Sequence, residues 1–300
     1  MAAFAAWALV RLAGLDLVSP LVQLIPYTPY VAAGSVLPLV ACLVLRRWRE
    51  AVVALLVVVA FGFAVVPRAV GGPGDRGTPL VVLSVNVLAG GGDTTRIMEL
   101  IRRERPDVVS LQELTDEHVA KLDSAGIATF LPHRALRPQP GVSGTGLYAK
   151  HPLVSARGLN AESTFDMARA TMRMSGQEVD VVAVHTSPPL PGAPVTRWRR
   201  DFDLLPRTGS PIRILAGDFN ATLDHRELRN LLGTGYHDAA ATVGAGLVPT
   251  WPHGTPLPPV TLDHVLVDEH VSVRSVEVFD VPGSDHRAVV ARLCLPSSPR

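Results

Sequence analysis

Eight polar side chains lie where apolar runs of the sequence stop, and their types suit phosphate chemistry. They are Asn86, Glu113, His185, Asp218, Asn220, Asp263, Asp285 and His286. Carboxylate and amide oxygens are the ligands that Mg²⁺ and Mn²⁺ prefer. Histidines near acids handle protons and stabilise anions. The set therefore predicts hydrolysis of a phosphate ester, in which a metal neutralises phosphoryl oxygens, a base activates water and donors hold the transition state.

Each of these residues, taken singly, also fits an ordinary structural role. Asp or Asn after a strand commonly caps a turn, and a histidine at a strand end is more often a satisfied edge residue than a ligand. Such roles suit the residues one at a time. They do not account for eight residues of matching chemistry at successive strand ends.

Short β-branched runs separated by turns predict the elements that carry these residues. Nine strands are expected, at Leu80–Leu88, Val108–Leu111, Gly146–Ala149, Ala168–Met174, Val179–His185, Ile212–Ala216, Leu262–Val267, Val273–Phe279 and Ala288–Leu295. Helices are expected after an N-cap at Asp93, near Val195–Leu205 and near His225–Leu232. Many strands with few helices predict two packed sheets with outer helices.

The first 70 residues differ in composition from the rest. Their charged residues are Arg11, Asp16, Arg46, Arg47, Arg49, Glu50 and Arg68. A membrane-spanning helix needs about 20 mostly apolar residues. We expect spans near 2–18, 30–46 and 51–67, the first weakened by its charges, so that two or three helices cross the bilayer. Pro20, Pro26 and Pro29, with Tyr27 and Tyr30, predict a turn at the membrane surface.

A signal peptide or buried core helices would account for these apolar runs less well. A signal peptide carries positive charge before its apolar stretch, whereas this chain begins MAAFAAWALV and continues with two further apolar runs. A core helix shows a polar face, and Ala51–Val66 has none. Arg46, Arg47 and Arg49 place their loop on the cytoplasmic side. Residues after 70 are then extracytoplasmic.

Composition excludes several classes of protein. The 300 residues are 47% hydrophobic with a net charge of +1, which excludes a disordered chain and gives no electrostatic case for a nucleic-acid coat protein. Two cysteines exclude a disulfide scaffold or a Cys-rich zinc module. Residues 71–79 are a Gly/Pro linker by composition, and residues 80–296 are expected to form the catalytic domain.

The order of the motifs in this domain resembles that of the endonuclease/exonuclease/phosphatase superfamily, the DNase I-like metal-dependent phosphoesterases. The matching segments are SVNVLAGG (84–91), DVVSLQEL (107–114), GTGLYAKHPL (144–153), VVAVHT (181–186), ILAGDFNA (214–221), TLDHVLV (261–267) and GSDHRAVVARL (283–293). GDFN followed by SDH is specific in this order. The resemblance implies a four-layer α/β sandwich, two mixed sheets packed face to face with helices outside.

The resemblance also implies roles for the eight residues. Glu113 would be the principal metal ligand, with Asn86 beside it and Asp285 completing the metal environment. Asp218 would orient or deprotonate the attacking water. Asn220 and His185 would bind phosphoryl oxygens, and His286, oriented by Asp263, would act as an acid/base or phosphate clamp.

The sequence therefore predicts a multi-pass cell-membrane protein whose extracytoplasmic domain hydrolyses phosphodiesters or phosphomonoesters with Mg²⁺ or Mn²⁺. Its expected partners are a phosphate-ester substrate (lipid, small molecule or nucleic acid) and the bilayer, with no protein partner. One alternative is a nuclease for extracellular DNA or RNA, for which arginines 134, 137, 157, 169 and 173 could form a patch. The second alternative is a non-catalytic membrane binding protein with a phosphoesterase-like domain.

Overall fold

β-branched runs form the strands of two six-stranded sheets. The computed structural model describes residues 1–74, 76–159 and 163–296, without the side chains of 155–158. The strands are β1 (Thr78–Asn86), β2 (Val108–Gln112), β3 (His133–Arg137), β4 (Thr145–Ala149), β5 (Leu153–Gly158), β6 (Ala168–Met174), β7 (Gln177–His185), β8 (Ile212–Asp218), β9 (Tyr236–Asp238), β10 (Asp263–Asp268), β11 (Ser272–Asp280) and β12 (Arg287–Leu295).

The two sheets have related arrangements. The first has the strand order β11-β12-β1-β2-β4-β3, and the second has the order β5-β6-β7-β8-β10-β9. In each sheet the two central strands are parallel, β1 with β2 and β7 with β8. Their outer neighbours are antiparallel: β12 beside β1, and β10 beside β8. The carboxyl ends of the parallel strands and the amino ends of β10 and β12 therefore share one edge.

Three apolar clusters fill the spaces between layers. The largest lies between the sheets and takes residues from both, such as Leu80 and Val181. A second packs the outer face of the first sheet against helices α6 (Thr94–Glu104) and α7 (Asp116–Ser124). A third packs the second sheet against α8 (Val195–Leu204) and α9 (Arg226–Leu232). The predicted four-layer α/β sandwich is confirmed.

The three helices that the sequence predicts in the domain, α6, α8 and α9, begin within one residue of the predicted positions, and α7 and a short helix at Ala239–Thr242 are additional. Asp93 caps α6, because its carboxylate accepts the backbone N–H of Thr95 at 2.8 Å. The N-terminal region contributes α1 (Ala2–Ala13), α2 (Leu21–Leu24), α3 (Thr28–Gly34), α4 (Val36–Val44) and α5 (Trp48–Val65), and a short α10 spans Ala239–Thr242. Single 3₁₀ turns lie at Ile25–Tyr27, Val66–Arg68 and Ile127–Thr129.

Two apolar helices in the described part of the chain are long enough to cross a membrane. They are Leu21–Val44, which joins α2 to α4, and Trp48–Arg68. At 1.5 Å per residue these correspond to roughly 36 and 32 Å. The first predicted span differs, because α1 has 12 residues and is shorter than the roughly 20 that a crossing needs.

The predicted turn is present at Pro20, before α2, but is wrong for residues 26–30, which continue the helix. Pro26 and Pro29 occupy first-turn positions of the 3₁₀ turn and of α3. A proline is tolerated there, since its missing N–H would have no intrahelical partner.

The predicted linker at 71–79 lies against the domain. The N–H of Gly72 donates to the Thr242 carbonyl at 3.2 Å, and that of Gly74 donates to Val273 at 2.7 Å. Asp75 lies outside the described residues. The last two residues of the segment already belong to β1.

Candidate active site

Strand ends bring the eight predicted residues to one edge of the sandwich. β1 ends at Asn86, and Glu113 directly follows β2. β7 and β8 end at His185 and Asp218, which are register partners. Asp263, the first residue of β10, pairs with Asp218 from the other side. Because the two central strands of each sheet are parallel and their neighbours β10 and β12 are antiparallel to them, the strand ends that carry these residues lie at the same edge.

Asn86 joins the two sheets at the centre of the site. Its Nδ2 donates to Glu113 Oε1 at 3.1 Å and to Asp218 Oδ2 at 3.1 Å. The second Glu113 oxygen, Oε2, accepts the N–H of Ala89 at 2.8 Å. Two buried carboxylates from different sheets are therefore held within reach of a single amide nitrogen.

Two histidines face the Asp218 carboxylate. His185 Nε2 lies 3.7 Å from Asp218 Oδ2 and 3.9 Å from Glu113 Oε1. His286 Nε2 lies 3.6 Å from the same Asp218 oxygen. On its opposite side, His286 Nδ1 is 2.9 Å from Asp263 Oδ2. Asp263 therefore fixes the ring so that Nε2 points into the site.

Asn220 braces Asp218 rather than pointing freely into the site. Its backbone N–H donates to Asp218 Oδ1 at 2.8 Å, and its Nδ2 donates to the Thr186 carbonyl at 2.8 Å. The glycine before Asp218 is required by close approach, because a Cβ on Gly217 would lie 1.9 Å from the Val184 carbonyl oxygen.

Two site residues have left-handed backbones without being glycine. Glu113 has a φ of 59° and Asn220 a φ of 45°. This region costs a non-glycine residue free energy and is most acceptable for Asn and Asp. Strained backbone of this kind clusters at functional sites. Here it marks the residues that follow the central strands β2 and β8.

Asp285 and Ser284 close the site from the loop before β12. Asp285 Oδ2 accepts Trp251 Nε1 at 2.9 Å, while its buried Oδ1 has no hydrogen-bond partner among the described residues. Ser284 Oγ donates to the Asn86 carbonyl at 2.8 Å and accepts the N–H of His286 at 3.0 Å. Through this bond to Asp285, the Trp251 side chain lines the site.

Sequence reasoning gave two of these contributors no role in the site. Phe165 stacks on His185 with ring centroids 4.6 Å apart, and Ser284 links two strand ends through its hydroxyl. Ser284 precedes Asp285 and His286 in the SDH motif, which is the signal that could have found it. No pattern in the sequence distinguishes Phe165 from a loop aromatic.

Burial and charge shift the pKa values of these groups in opposite directions. Burial raises the pKa of Glu113, and the Asp218 carboxylate adds to that shift. Burial likewise raises the pKa of Asp218. Burial lowers the pKa of His185 to about 4. His286 is different: burial alone would lower its pKa, but Asp263, Asp218 and Asp285 outweigh it and raise the pKa to about 10.

The site is rich in negative charge. Among the described residues, the ion pairs of Glu113, Asp218 and Asp263 involve only the histidines His185 and His286. Asp218, Asp263 and His286 also offer ligand atoms within 4.8 Å of one another. Asp263 and His286 bond each other, whereas the buried Oδ1 of Asp285 has no hydrogen-bond partner among the described residues.

The arginines that could form a nucleic-acid patch are largely paired. Arg169 bonds the buried Asp180 at 2.6 Å, Arg173 bonds Glu178 at 2.8 Å, and Arg134 bonds Asp123 at 2.8 Å. Arg137 is exposed, and the side chain at position 157 lies outside the described residues. These ion pairs weaken any continuous phosphate-binding surface.

Comparison with known proteins agrees with this geometry. The profile of the Endonuclease/Exonuclease/phosphatase family matches residues 83–286, a range that includes all eight site residues. No curated protein sequence matches the chain.

Solved structures share the fold at low identity. An endonuclease/exonuclease/phosphatase from Beutenbergia cavernae has a TM-score of 0.60 at 23% identity, covering 74% of this chain and 73% of its own. Humanized D. rerio TDP2 has a TM-score of 0.60 at 17% identity, covering 72% and 98%. The 3′ phosphatase NExo from Neisseria, bound to a product DNA hairpin, has a TM-score of 0.56 at 19% identity, covering 71% and 98%. By its sequence match over more than half of its length, the chain belongs to the endonuclease/exonuclease/phosphatase family.

Proposed function

We propose that this protein is a membrane-anchored, divalent-metal-dependent phosphoesterase whose catalytic domain lies outside the cytoplasm. The observation that carries the proposal is the convergence of the eight polar residues at one edge of the two sheets. Asn86 donating to both Glu113 and Asp218 is its centre. The family generally hydrolyses phosphoester bonds, and this arrangement retains the groups such chemistry needs.

The donor set fits a hard divalent cation. Glu113 and Asp285 supply carboxylates and Asn86 an amide oxygen, the ligand types that Mg²⁺ and Mn²⁺ prefer. Asp285 Oδ1 is buried without a hydrogen-bond partner among the described residues, as expected for an oxygen kept for a ligand. When bound, the ion would neutralise the phosphoryl oxygens of the substrate.

The chain's own residues then have separable tasks. Asp218 accepts a hydrogen bond from the attacking water and orients it, being held by Asn86 and Asn220. His185 Nε2 faces the phosphoryl oxygens. His286, held by Asp263 and kept protonated at neutral pH by its raised pKa, carries a proton at Nε2 for the developing charge. Because the Asn220 amide already donates to Thr186, we assign it to positioning Asp218 as well as to substrate contact.

The N-terminal helices support the membrane part of the proposal. Only 11% of the most apolar window of Leu21–Val44 and 17% of that of Trp48–Arg68 are buried, so these are not core helices. Exposed apolar surface of this extent marks a membrane or partner contact. We assign 1–70 to the membrane region, 71–79 to the connection and 80–296 to catalysis.

The same helices support the orientation. Gln23 and Arg68, at the outer ends of the two long helices, bond Pro189 and Asp224 of the domain. The loop with Arg46 and Arg47 joins the opposite ends. Since arginine-rich short loops stay in the cytoplasm, the domain would face the extracytoplasmic side.

The test of activity uses the full chain in detergent micelles. A chromogenic phosphodiester, a chromogenic phosphomonoester and a single-stranded oligonucleotide are compared with Mg²⁺, with Mn²⁺ and with EDTA. We expect metal-dependent turnover of a small ester, lost in Glu113→Gln and Asp218→Asn. Turnover confined to the oligonucleotide would favour a nuclease, as the DNA-bound relatives NExo and TDP2 suggest. A folded, metal-binding chain without any turnover would favour the non-catalytic alternative.

The test of orientation uses reporters fused after residue 300. Alkaline phosphatase matures only outside the cytoplasm, so this fusion is expected to be active. A fluorescent protein that matures only inside the cytoplasm is expected to be dark when fused at the same position. The reverse pattern would contradict the proposed topology. Fusion after Arg47 provides the opposite control in the same chain.

A further inference from the structure

The N-terminal helices hold a buried carboxylate in the loop that follows the GDFN motif. Asp224 is fully buried. Arg11 from α1 reaches its Oδ1 with Nε at 2.6 Å, and Arg68 from the end of the second long helix reaches its Oδ2 at 2.7 Å. Both arginines are more than nine-tenths buried. One carboxylate of the catalytic domain thus depends on two cations from the N-terminal region.

Further contacts reinforce this junction. The Asp16 carboxylate accepts the backbone N–H of Arg226 at 2.9 Å. The Val22 carbonyl accepts His225 Nε2 at 2.9 Å, and the Val22 side chain belongs to the apolar cluster under the second sheet. Helix residues therefore supply both polar and apolar support to the segment 222–226.

Segment 222–226 follows shortly after Asp218 and Asn220, which are assigned to the active site. His225 Nδ1 accepts the backbone N–H of Thr222 at 2.8 Å, so the ring that Val22 fixes also fixes Thr222. The preceding carbonyl, of Ala221, accepts His264 Nε2 at 2.9 Å. Asn220 comes next and braces Asp218 through its backbone N–H. The loop 219–225 thus links Asp218 to the N-terminal helices through few residues.

We infer that Arg11 and Arg68 are positioning residues for the active site, so that the N-terminal helices complete the catalytic unit instead of serving as a separable anchor. The inference rests on the proposed function for its kinetic part. The arginines act through Asp224 and the loop 219–225, which fix Asn220 and the direction of the Asp218 carboxylate. They do not touch the residues assigned to the metal, which lie on the first sheet and before β12.

The experiment compares full-length variants in detergent. Arg68→Gln leaves Arg11 on Asp224, so that the carboxylate keeps one cation and the chain can fold. Arg68 also reaches Asp224 Oδ1 through Nη2, and Arg68→Lys restores the charge without this paired contact. The matched control is Arg47→Gln, which removes an exposed arginine paired with Glu50 in the loop far from the domain.

We expect Arg68→Gln to lower kcat by about 10- to 100-fold, the scale of loss that a misplaced catalytic group produces. KM and the Mg²⁺ concentration for half-maximal activity should change by no more than about 2-fold. Arg68→Lys should recover part of kcat, and Arg47→Gln should match the parent chain. If folded Arg68→Gln keeps the parent kcat, or shows only a lower Tm, the arginine is a structural clamp and the inference is wrong.

A second readout does not need activity. Backbone amide exchange in 219–225 should be faster in Arg68→Gln than in the parent chain, because Arg68 holds Asp224, whose N–H donates to Thr222 Oγ1, and a less constrained loop opens its amides to solvent more often. Faster exchange with no turnover in the parent chain would support the coupling and contradict the phosphoesterase proposal. Unchanged exchange would overturn the coupling whatever the activity.

Discussion

Replacing Glu113 with glutamine should leave the protein at least as stable without metal and abolish its response to metal. Glu113 Oε1 and Asp218 Oδ2 are each 3.1 Å from Asn86 Nδ2, so the two oxygens are at most about 6 Å apart. At an effective dielectric constant of about 20, two like charges at this distance repel by about 3 kcal/mol. Burial first and the Asp218 charge second raise the pKa of Glu113, which means that its charged form costs stability in the native state. Glutamine keeps the size of the side chain and removes the charge, but its amide nitrogen cannot accept, so one of the bonds from Asn86 and Ala89 is lost at a cost of roughly 1–3 kcal/mol. The relief of repulsion therefore equals or modestly exceeds this cost.

In the parent chain, a bound divalent ion makes the negative charge of Glu113 stabilising instead of destabilising. Binding to the native state stabilises it by RT ln(1 + [Mg²⁺]/Kd), about 2.7 kcal/mol at a concentration 100 times Kd. For a domain of this size each kcal/mol raises Tm by roughly 2–4 °C. The parent Tm should therefore rise by roughly 5–10 °C between EDTA and saturating Mg²⁺. Glu113→Gln should start at or above the parent in EDTA and show no rise.

The assay is thermal unfolding of the full chain in detergent, with EDTA or with increasing Mg²⁺. Asp180→Asn is the matched control, because Asp180 is equally buried but pairs with Arg169 and Arg213. That variant should lower Tm in both conditions and keep the Mg²⁺ response. If Glu113→Gln retains the parent's Mg²⁺ response, Glu113 is not a ligand. If it unfolds earlier than the parent in EDTA, the assigned repulsion is wrong.

Two further predictions follow from single contacts. Asp263→Asn removes the partner that fixes the His286 ring at 2.9 Å, and kcat on a chromogenic ester should fall by about 10²-fold or more, with unchanged circular dichroism. His264 lies between the Asp238 carboxylate at 2.8 Å and the Ala221 carbonyl at 2.9 Å, two acceptors that only the doubly protonated ring can satisfy. Burial opposes that charge, but Asp238 raises the pKa of His264 above 6.5. The stability it contributes is complete below pH 6.5 and is lost as pH rises through the native pKa. Unfolding free energy should therefore fall as the pH rises above 6.5 more steeply in the parent chain than in His264→Gln.

The residues at the site edge could be predicted from the sequence because the β-branched runs that form the strands end at them. Runs of β-branched residues stop at Asn86, Gln112 and His185 in the structure, within two residues of the predicted ends. The family resemblance implied two mixed sheets packed face to face, and the parallel pairing that brings these ends together is a finding of the structure. Periodicity alone gives the strands and leaves their order open.

Several strands and one helix could not be predicted, because their own residues show no clear strand or helix pattern. The edge strands β3, β5 and β9 were not predicted, because His133–Arg137 and Leu153–Gly158 mix apolar with polar and charged residues and Tyr236–Asp238 has three residues. They exist because they pair with β4, β6 and β10. The helix through Pro26 and Pro29 was likewise hidden, since prolines indicate a turn unless the neighbouring segments are known to be helical.

The junction between the N-terminal helices and the catalytic loop could not be inferred, because it depends on contacts more than 150 residues apart in sequence. By sequence alone, Arg11 counts against a membrane span. In the structure it is the partner of Asp224, so the charge that weakens an isolated span is the one the domain requires. A lone arginine in an apolar helix costs free energy unless it is paired, and a buried aspartate after the GDFN motif carries the same cost. Each of these residues therefore accounts for the presence of its partner, which is the physical reason to treat the helices and the domain as one catalytic unit.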